Sequence, residues 1–214
     1  MAIHGLRRGP ARAAWALGLA GLFLWVGLEL LGKAENGSAS ALPEVRALPD
    51  FALTAAALSG ARPFSRADLA GKPWIADFIY TSCAGPCPLL STEMARLQRD
   101  LPDGVRLVSF TVDPERDSPR RLSLYSARFG ADPRRWIFAT GRKGVLYSLL
   151  RRGFGRAVVE DPAAPEGLRV LHSAEFALVD SRGVIRGWYP VLGEKGVLAR
   201  LERDARALLK GERD

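Results

Sequence analysis

Cys83 and Cys87 are the only sulfhydryls in this 214-residue chain, and they stand together in Thr81-Ser82-Cys83-Ala84-Gly85-Pro86-Cys87-Pro88. Three chemistries are open to a pair at this spacing. A structural disulfide would close a very short loop, and cross-link stabilisation grows with loop length, so it would add little. A redox couple would use one thiolate to attack a disulfide and the other to resolve the mixed intermediate. Half of a metal site would use both sulfurs, soft donors that favour Cu(I) or zinc over magnesium or calcium. Positions i and i+4 on a helical turn place the two sulfurs on one side. Peroxide reduction is a lesser option, because a second cysteine four residues on is a poor match for it. Two thiolates leave a coordination shell incomplete. Beyond the N-terminal segment the only histidine is His172, in Arg169-Val170-Leu171-His172-Ser173-Ala174-Glu175-Phe176. A histidine where a loop enters a strand either presents its imidazole at a sheet end or simply caps the strand.

These side chains need elements to hold them. The run Trp74 to Tyr80 is mostly apolar and of strand length, as for a strand covered on both faces. The cysteine segment comes directly after it. Leu90, Met94, Leu97 and Leu101 then recur at helical spacing, until Pro102-Asp103-Gly104 ends the pattern. The pair is thus expected at a helix N-terminus, where free backbone N–H groups and the helix dipole stabilise a thiolate. Val105–Val112 reads as a second buried strand. Ser118-Pro119 reads as a helix start, with Leu122, Tyr125 and Phe129 on the inner face. Trp136–Ala139 is a third strand and Gly144–Arg151 a short helix. Gly153–Arg169 is an excursion or hairpin. Phe176–Asp180 and Val184–Tyr189 flank a turn, and Val197, Leu198, Leu201, Ala205 and Leu208 mark a last amphipathic helix. A short hairpin opens the domain, from Asp50–Thr54 through Gly60 to Phe64. Strands alternating with helices imply parallel pairing, and the late hairpin adds antiparallel strands. The simplest architecture is α/β: a mixed central sheet flanked by helices, of the thioredoxin type. Asp77 inside the first buried strand stands out, and a raised pKa with a proton-transfer role is one reading of it.

With 48% hydrophobic and 25% charged residues, the chain fits one globular domain plus extensions. Ala13–Leu31 is nineteen residues long with one charge, Glu29, which is enough to cross a bilayer. Arg7, Arg8 and Arg12 precede it, so the positive-inside bias keeps the N-terminus cytoplasmic and exports the residues beyond Lys33. The expected organisation is a cytoplasmic N-terminus (1–12), a transmembrane anchor (13–31), a linker (32–48) and the domain (49–214). A cleaved signal ending near Ser38-Ala39-Ser40 is the alternative. No cysteine closes the apolar run, which argues against a lipid anchor. The net charge of +8 is spread without a long basic run, so a solvated surface is expected rather than a nucleic-acid partner.

Three segments together resemble the Sco/SenC family, thioredoxin-like copper-binding assembly proteins of cytochrome c oxidase. They are Tyr80-Thr81-Ser82-Cys83-Ala84-Gly85-Pro86-Cys87-Pro88, then Thr111-Val112-Asp113-Pro114-Glu115-Arg116-Asp117-Ser118-Pro119, then His172-Ser173 ahead of Asp180-Ser181-Arg182-Gly183. The resemblance implies that Cys83, Cys87 and His172 bind copper, as Cu(I) or Cu(II), and pass it to the copper A subunit of the oxidase. Alternatively Cys83 and Cys87 are a catalytic redox pair that reduces the cysteines of that centre. Other copper chaperones or thiol oxidoreductases are further partners. The setting it implies is a single-pass protein of the bacterial cytoplasmic membrane with its domain in the periplasm. Ala84 replaces the proline usual after the first cysteine. Leu171 stands where an aspartate commonly precedes the histidine, which removes a carboxylate able to orient the imidazole. Met94 is read as core, and Asp113 and Asp117 as turn and cap residues rather than ligands.

Overall fold

The computed structural model describes residues 42–57, 60–161, 163–165, 170–171 and 174–211. The expected anchor and most of the linker fall outside these residues. Among those described, no helix is long and apolar enough to cross a membrane.

An eight-stranded sheet forms the centre. Its strands are β1 (Arg46–Ala47), β2 (Ala52–Ala57), β3 (Gly60–Ser65), β4 (Trp74–Ile79), β5 (Arg106–Thr111), β6 (Trp136–Thr140), β9 (Glu175–Val179) and β10 (Val184–Pro190), in the order β1-β10-β9-β4-β5-β6-β2-β3. Strands β4, β5 and β6 are parallel, and every other pairing is antiparallel. This is the mixed sheet expected from the alternation of elements. The excursion before β9 carries a separate two-stranded pair, β7 (Val159–Glu160) with β8 (Val170–Leu171).

Helix α1 (Cys87–Asp100) buries Cys87, Leu90, Ser91, Met94, Ala95 and Leu97, one stripe at helical spacing. It stops where Leu101 turns extended ahead of Pro102. Helix α2 (Pro119–Arg128) starts with Pro119 in its first turn, and Ser118 caps it by accepting the Arg121 N–H at 3.3 Å. The short helix read at Gly144–Arg151 is instead α3 (Lys143–Ser148) running into a π-helical turn, Leu149–Gly153. That wider turn buries Leu149, Leu150 and Gly153 together, and leaves Arg151 and Arg152 exposed. Helix α4 (Val197–Gly211) closes the domain through Val197, Leu201, Ala205, Leu208 and Leu209.

Every residue of β4 is buried, as the apolar run requires. Its alternating side chains go to two different layers. Phe78 joins an aromatic layer, with ring centroids 5.1 Å from Phe154 and 6.3 Å from Phe110. On the other face Asp77 is set beside Ser109 of β5 in the parallel register. The β9–β10 turn closes on Gly183, whose φ of +82° a side chain would resist. Asp180 Oδ1 accepts the N–H groups of Arg182 (3.0 Å) and Val184 (2.9 Å) across that turn.

Candidate functional site

The parallel strands β4 and β5 end at one edge of the sheet, and the loops leaving them meet there. Because β9 runs antiparallel to β4, its first residues lie at the same edge. His172 belongs to the sequence just ahead of β9 and lies outside the described residues.

Cys87 opens α1 and is fully buried, with Pro88 next to it in the first turn. Cys83 is not on the helix. It sits in the turn between β4 and α1, half-buried, with its N–H donating to the Tyr80 carbonyl at 3.2 Å. The expectation of two sulfurs stacked along one helix is therefore corrected, since the helix begins only at Cys87. The sulfurs still meet, because the loop folds Cys83 over the helix start. The two are unbonded thiols held in hydrogen-bond contact.

That contact makes the pair unequal. The Cys87 S–H donates to the Cys83 sulfur, and this bond is the main cause that lowers Cys83 to about 6. Burial works against it, while the backbone N–H groups of Cys87 and Gly85 and the side chain of Tyr80 add to it. Cys87 moves the other way. Donating its proton to Cys83, and then its burial, both hold it well above the usual thiol range, and the charge of Asp77 adds to this. A half-exposed thiolate thus stands on a buried thiol. This is the asymmetry of a nucleophile and a resolving partner, and equally of two soft donors sharing one proton.

Asp117 ties the second motif to the first. It is fully buried, and its carboxylate accepts three hydrogen bonds: from the Thr81 N–H (3.0 Å), the Thr81 hydroxyl (2.5 Å) and the Thr111 hydroxyl (2.6 Å). Burial raises its pKa above the usual carboxylate value, and these donors pull it back. Thr111 Oγ1 in turn accepts the Asp113 N–H at 3.0 Å. Asp113 pairs with Arg116 at 3.0 Å within the same loop. Neither aspartate is brought to the sulfurs as a metal ligand. Asp113 is the turn residue expected, but Asp117 caps no helix: its neighbour Ser118 does that, and Asp117 reaches back to the cysteine loop.

Below the pair lies a buried polar layer. Asp77 is wholly buried, and neither of its oxygens has a hydrogen-bond partner of good geometry. Desolvation raises it to about 7, against the pull of Ser109, whose hydroxyl accepts the Trp136 indole N–H at 2.8 Å. Ser91 and Tyr125 share a hydrogen bond of 3.0 Å, and Tyr125 feels the charges of Cys87 and Asp77. Met94 is fully buried, as a core residue should be. Sequence reasoning missed Tyr80, Thr81 and Thr111 as parts of the site. The available signal was their position inside the two motifs.

Among the described residues, no three of His, Cys, Asp and Glu are grouped as a metal site would need. Two contacting sulfurs, one already ionised, are a fit to a soft cation that is still short of a donor.

A thiol pair where a central strand of a mixed sheet passes into a helix defines a thioredoxin-like thiol protein. The family can be stated as well. The sequence model of the SCO1/SenC family matches residues 43–204, and the chain belongs to that family. The SCO1 protein homolog of Bacillus subtilis (strain 168) is 34% identical over 121 residues, which are 55% of this chain and 61% of the relative. This match thus spans less than two thirds of that relative's length. A protein of Stutzerimonas stutzeri, named as a candidate copper-binding protein, is 33% identical over 68% of this chain and 70% of its own. Among solved structures, BsSco aligns with a TM-score of 0.66 at 27% identity, over 78% of this chain and 95% of its own. It is described as a member of the Sco family of cytochrome c oxidase assembly proteins in which a disulfide switch was identified. Copper-bound ScoI of Bradyrhizobium japonicum shares the fold, with a TM-score of 0.61 and 24% identity over 73% of this chain and 98% of its own.

Proposed function

We propose that this chain is a copper-binding assembly factor that carries copper to the copper A centre of cytochrome c oxidase, with Cys83, Cys87 and His172 as ligands. The observation that carries the reading is the contacting pair of unequal sulfurs in a SCO1/SenC domain. Copper is the cargo. Cys83 is ready to bind it as a thiolate, Cys87 becomes a second thiolate on losing its proton, and the imidazole of His172 suits Cu(II). The fold supplies a half-exposed sulfur to meet the ion and a buried one to hold it. In this proposal residues 13–31 anchor the domain (49–214) in the bacterial cytoplasmic membrane, facing the periplasm, through the linker 32–48.

One observation favours a second reading, a thiol–disulfide oxidoreductase acting on the copper-site cysteines of the oxidase. A Cys83 thiolate with a buried Cys87 thiol beside it is poised for disulfide exchange without any metal.

Anaerobic copper titration of the reduced protein, repeated with His172→Ala, tests the first reading. One equivalent of copper should bind, and His172→Ala should change the Cu(II) spectrum while leaving Cu(I) binding in place. If reduced protein takes up no copper at one equivalent, the reading is wrong. If the Cu(II) spectrum of His172→Ala is unchanged, the assignment of His172 is wrong. Rapid reduction of a disulfide-linked copper-site peptide would support the second reading, and failure to reduce it would remove that reading.

A further inference from the structure

We propose that Asp117 is the positioning residue of the cysteine pair, its buried carboxylate holding the entrance of the cysteine loop so that Cys83 stays against Cys87. The inference rests on the reading of Cys83 and Cys87 as the working pair, whether for copper or for disulfide exchange.

Thr81, Ser82, Cys83 and Pro86 are only partly covered, and Ala84 and Gly85 are exposed. One end of this segment is fixed by α1, which starts at Cys87. The other end is fixed at Thr81, where both the backbone N–H and the hydroxyl donate to the same carboxylate. Two bonds from one residue fix its orientation as well as its place, two positions ahead of Cys83.

The anchor itself is rigid. Asp117 N–H donates to the Asp113 carbonyl at 2.9 Å, and Ser118 and Pro119 lead directly into α2. Its remaining bond goes to Thr111, the last residue of β5, so the carboxylate joins the end of one parallel strand to the loop leaving its neighbour. Burying a carboxylate is costly unless its oxygens are well supplied with donors. Three donors converge here, two of them from the loop that carries Cys83. An apolar residue in this place would cover Thr111 as well, but it would release Thr81.

A released Thr81 lowers the effective concentration of the Cys83 sulfur at Cys87. The reaction that reads this is protein dithiol plus oxidised glutathione giving protein disulfide plus two molecules of reduced glutathione. Its equilibrium constant contains that effective concentration and needs no copper.

The test is a glutathione titration of the full chain in mild detergent, followed by thiol trapping and mass spectrometry. It is run on the wild type, Asp117→Ala, Asp117→Asn and Ile185→Ala. Ile185 is buried in β10 beside the far end of the sheet, so its truncation is a control for lost stability alone. Asp117→Ala should lower the equilibrium constant about tenfold or more. Asp117→Asn, which keeps one acceptor oxygen, should lower it about threefold, and Ile185→Ala should leave it within twofold. If Asp117→Ala does not fold, the threefold change in Asp117→Asn decides. An unchanged constant in the folded Asp117 variants, or an equal fall in Ile185→Ala, overturns the proposal. Failure of the wild type to bind copper would remove the copper reading and leave this result standing, so the two failures are distinguishable.

Discussion

Asp77→Asn should stabilise the reduced, metal-free domain at alkaline pH and not at acid pH. Asp77 is wholly buried in β4, and desolvation raises its pKa from 3.8 to about 7. A carboxyl with a raised folded pKa favours the folded state most below 3.8, where it is protonated both folded and unfolded. Between the two values the unfolded chain gives up the proton and the folded one keeps it, so stability falls as pH rises, by about 1.4 kcal/mol per pH unit. Above about 7 the loss is complete, at roughly 4 kcal/mol. Asparagine does not titrate, so this loss is absent in the variant. Its buried amide brings its own cost of about 1–3 kcal/mol for unmet hydrogen bonds, but that cost does not vary with pH. The signal is therefore the change in the variant-minus-wild-type difference, about 3 kcal/mol in favour of the variant between about pH 4.5 and about pH 8.5. Urea unfolding monitored by Trp fluorescence measures it. The same difference at both pH values would refute the burial argument, and so would a difference that grows toward acid.

Three other outcomes are expected of the same structure. Alkylation of reduced protein should go to Cys83 with a rate midpoint near pH 6, and Cys87 should stay unmodified under native conditions; peptide mapping at several pH values checks this, and a midpoint in the ordinary thiol range would contradict the shared-proton arrangement. Cu(I) binding at about pH 7.5 should release about one proton rather than two, because Cys83 is already ionised; calorimetry in two buffers of different ionisation enthalpy reads the number. Arg186→Met should cost about 3–5 kcal/mol in urea unfolding. It removes the buried partner of Asp180 at 3.1 Å, together with the hydrogen bonds that Arg186 makes to the Leu42 and Pro43 carbonyls.

What the sequence made legible was whatever depends on neighbours along the chain. The apolar run of β4 and the stripe Leu90, Met94, Leu97 became a buried strand and the inner face of a helix because burial periodicity is local. Ser118-Pro119 became a helix start for the same reason. The opening hairpin was also readable, but its place at the sheet edge beside β6 was not. That pairing joins Thr54 to Thr140, far apart in the chain, and no local pattern encodes it. The site divides in the same way. The cysteines announce themselves by type and spacing, yet their inequality comes from Cys83 lying off the helix and from the hydrogen bond this permits. Asp117 has every local mark of a cap residue, one position before a Ser-Pro helix start. Only when β4 and β5 lie side by side does Thr81 come within reach of its carboxylate. The motif around Asp113–Pro119 is then better understood as the second half of the cysteine loop than as a turn with a function of its own. Each motif supplies what the other lacks, a reactive sulfur in one and a fixed acceptor in the other, and the parallel pairing of their strands brings them together.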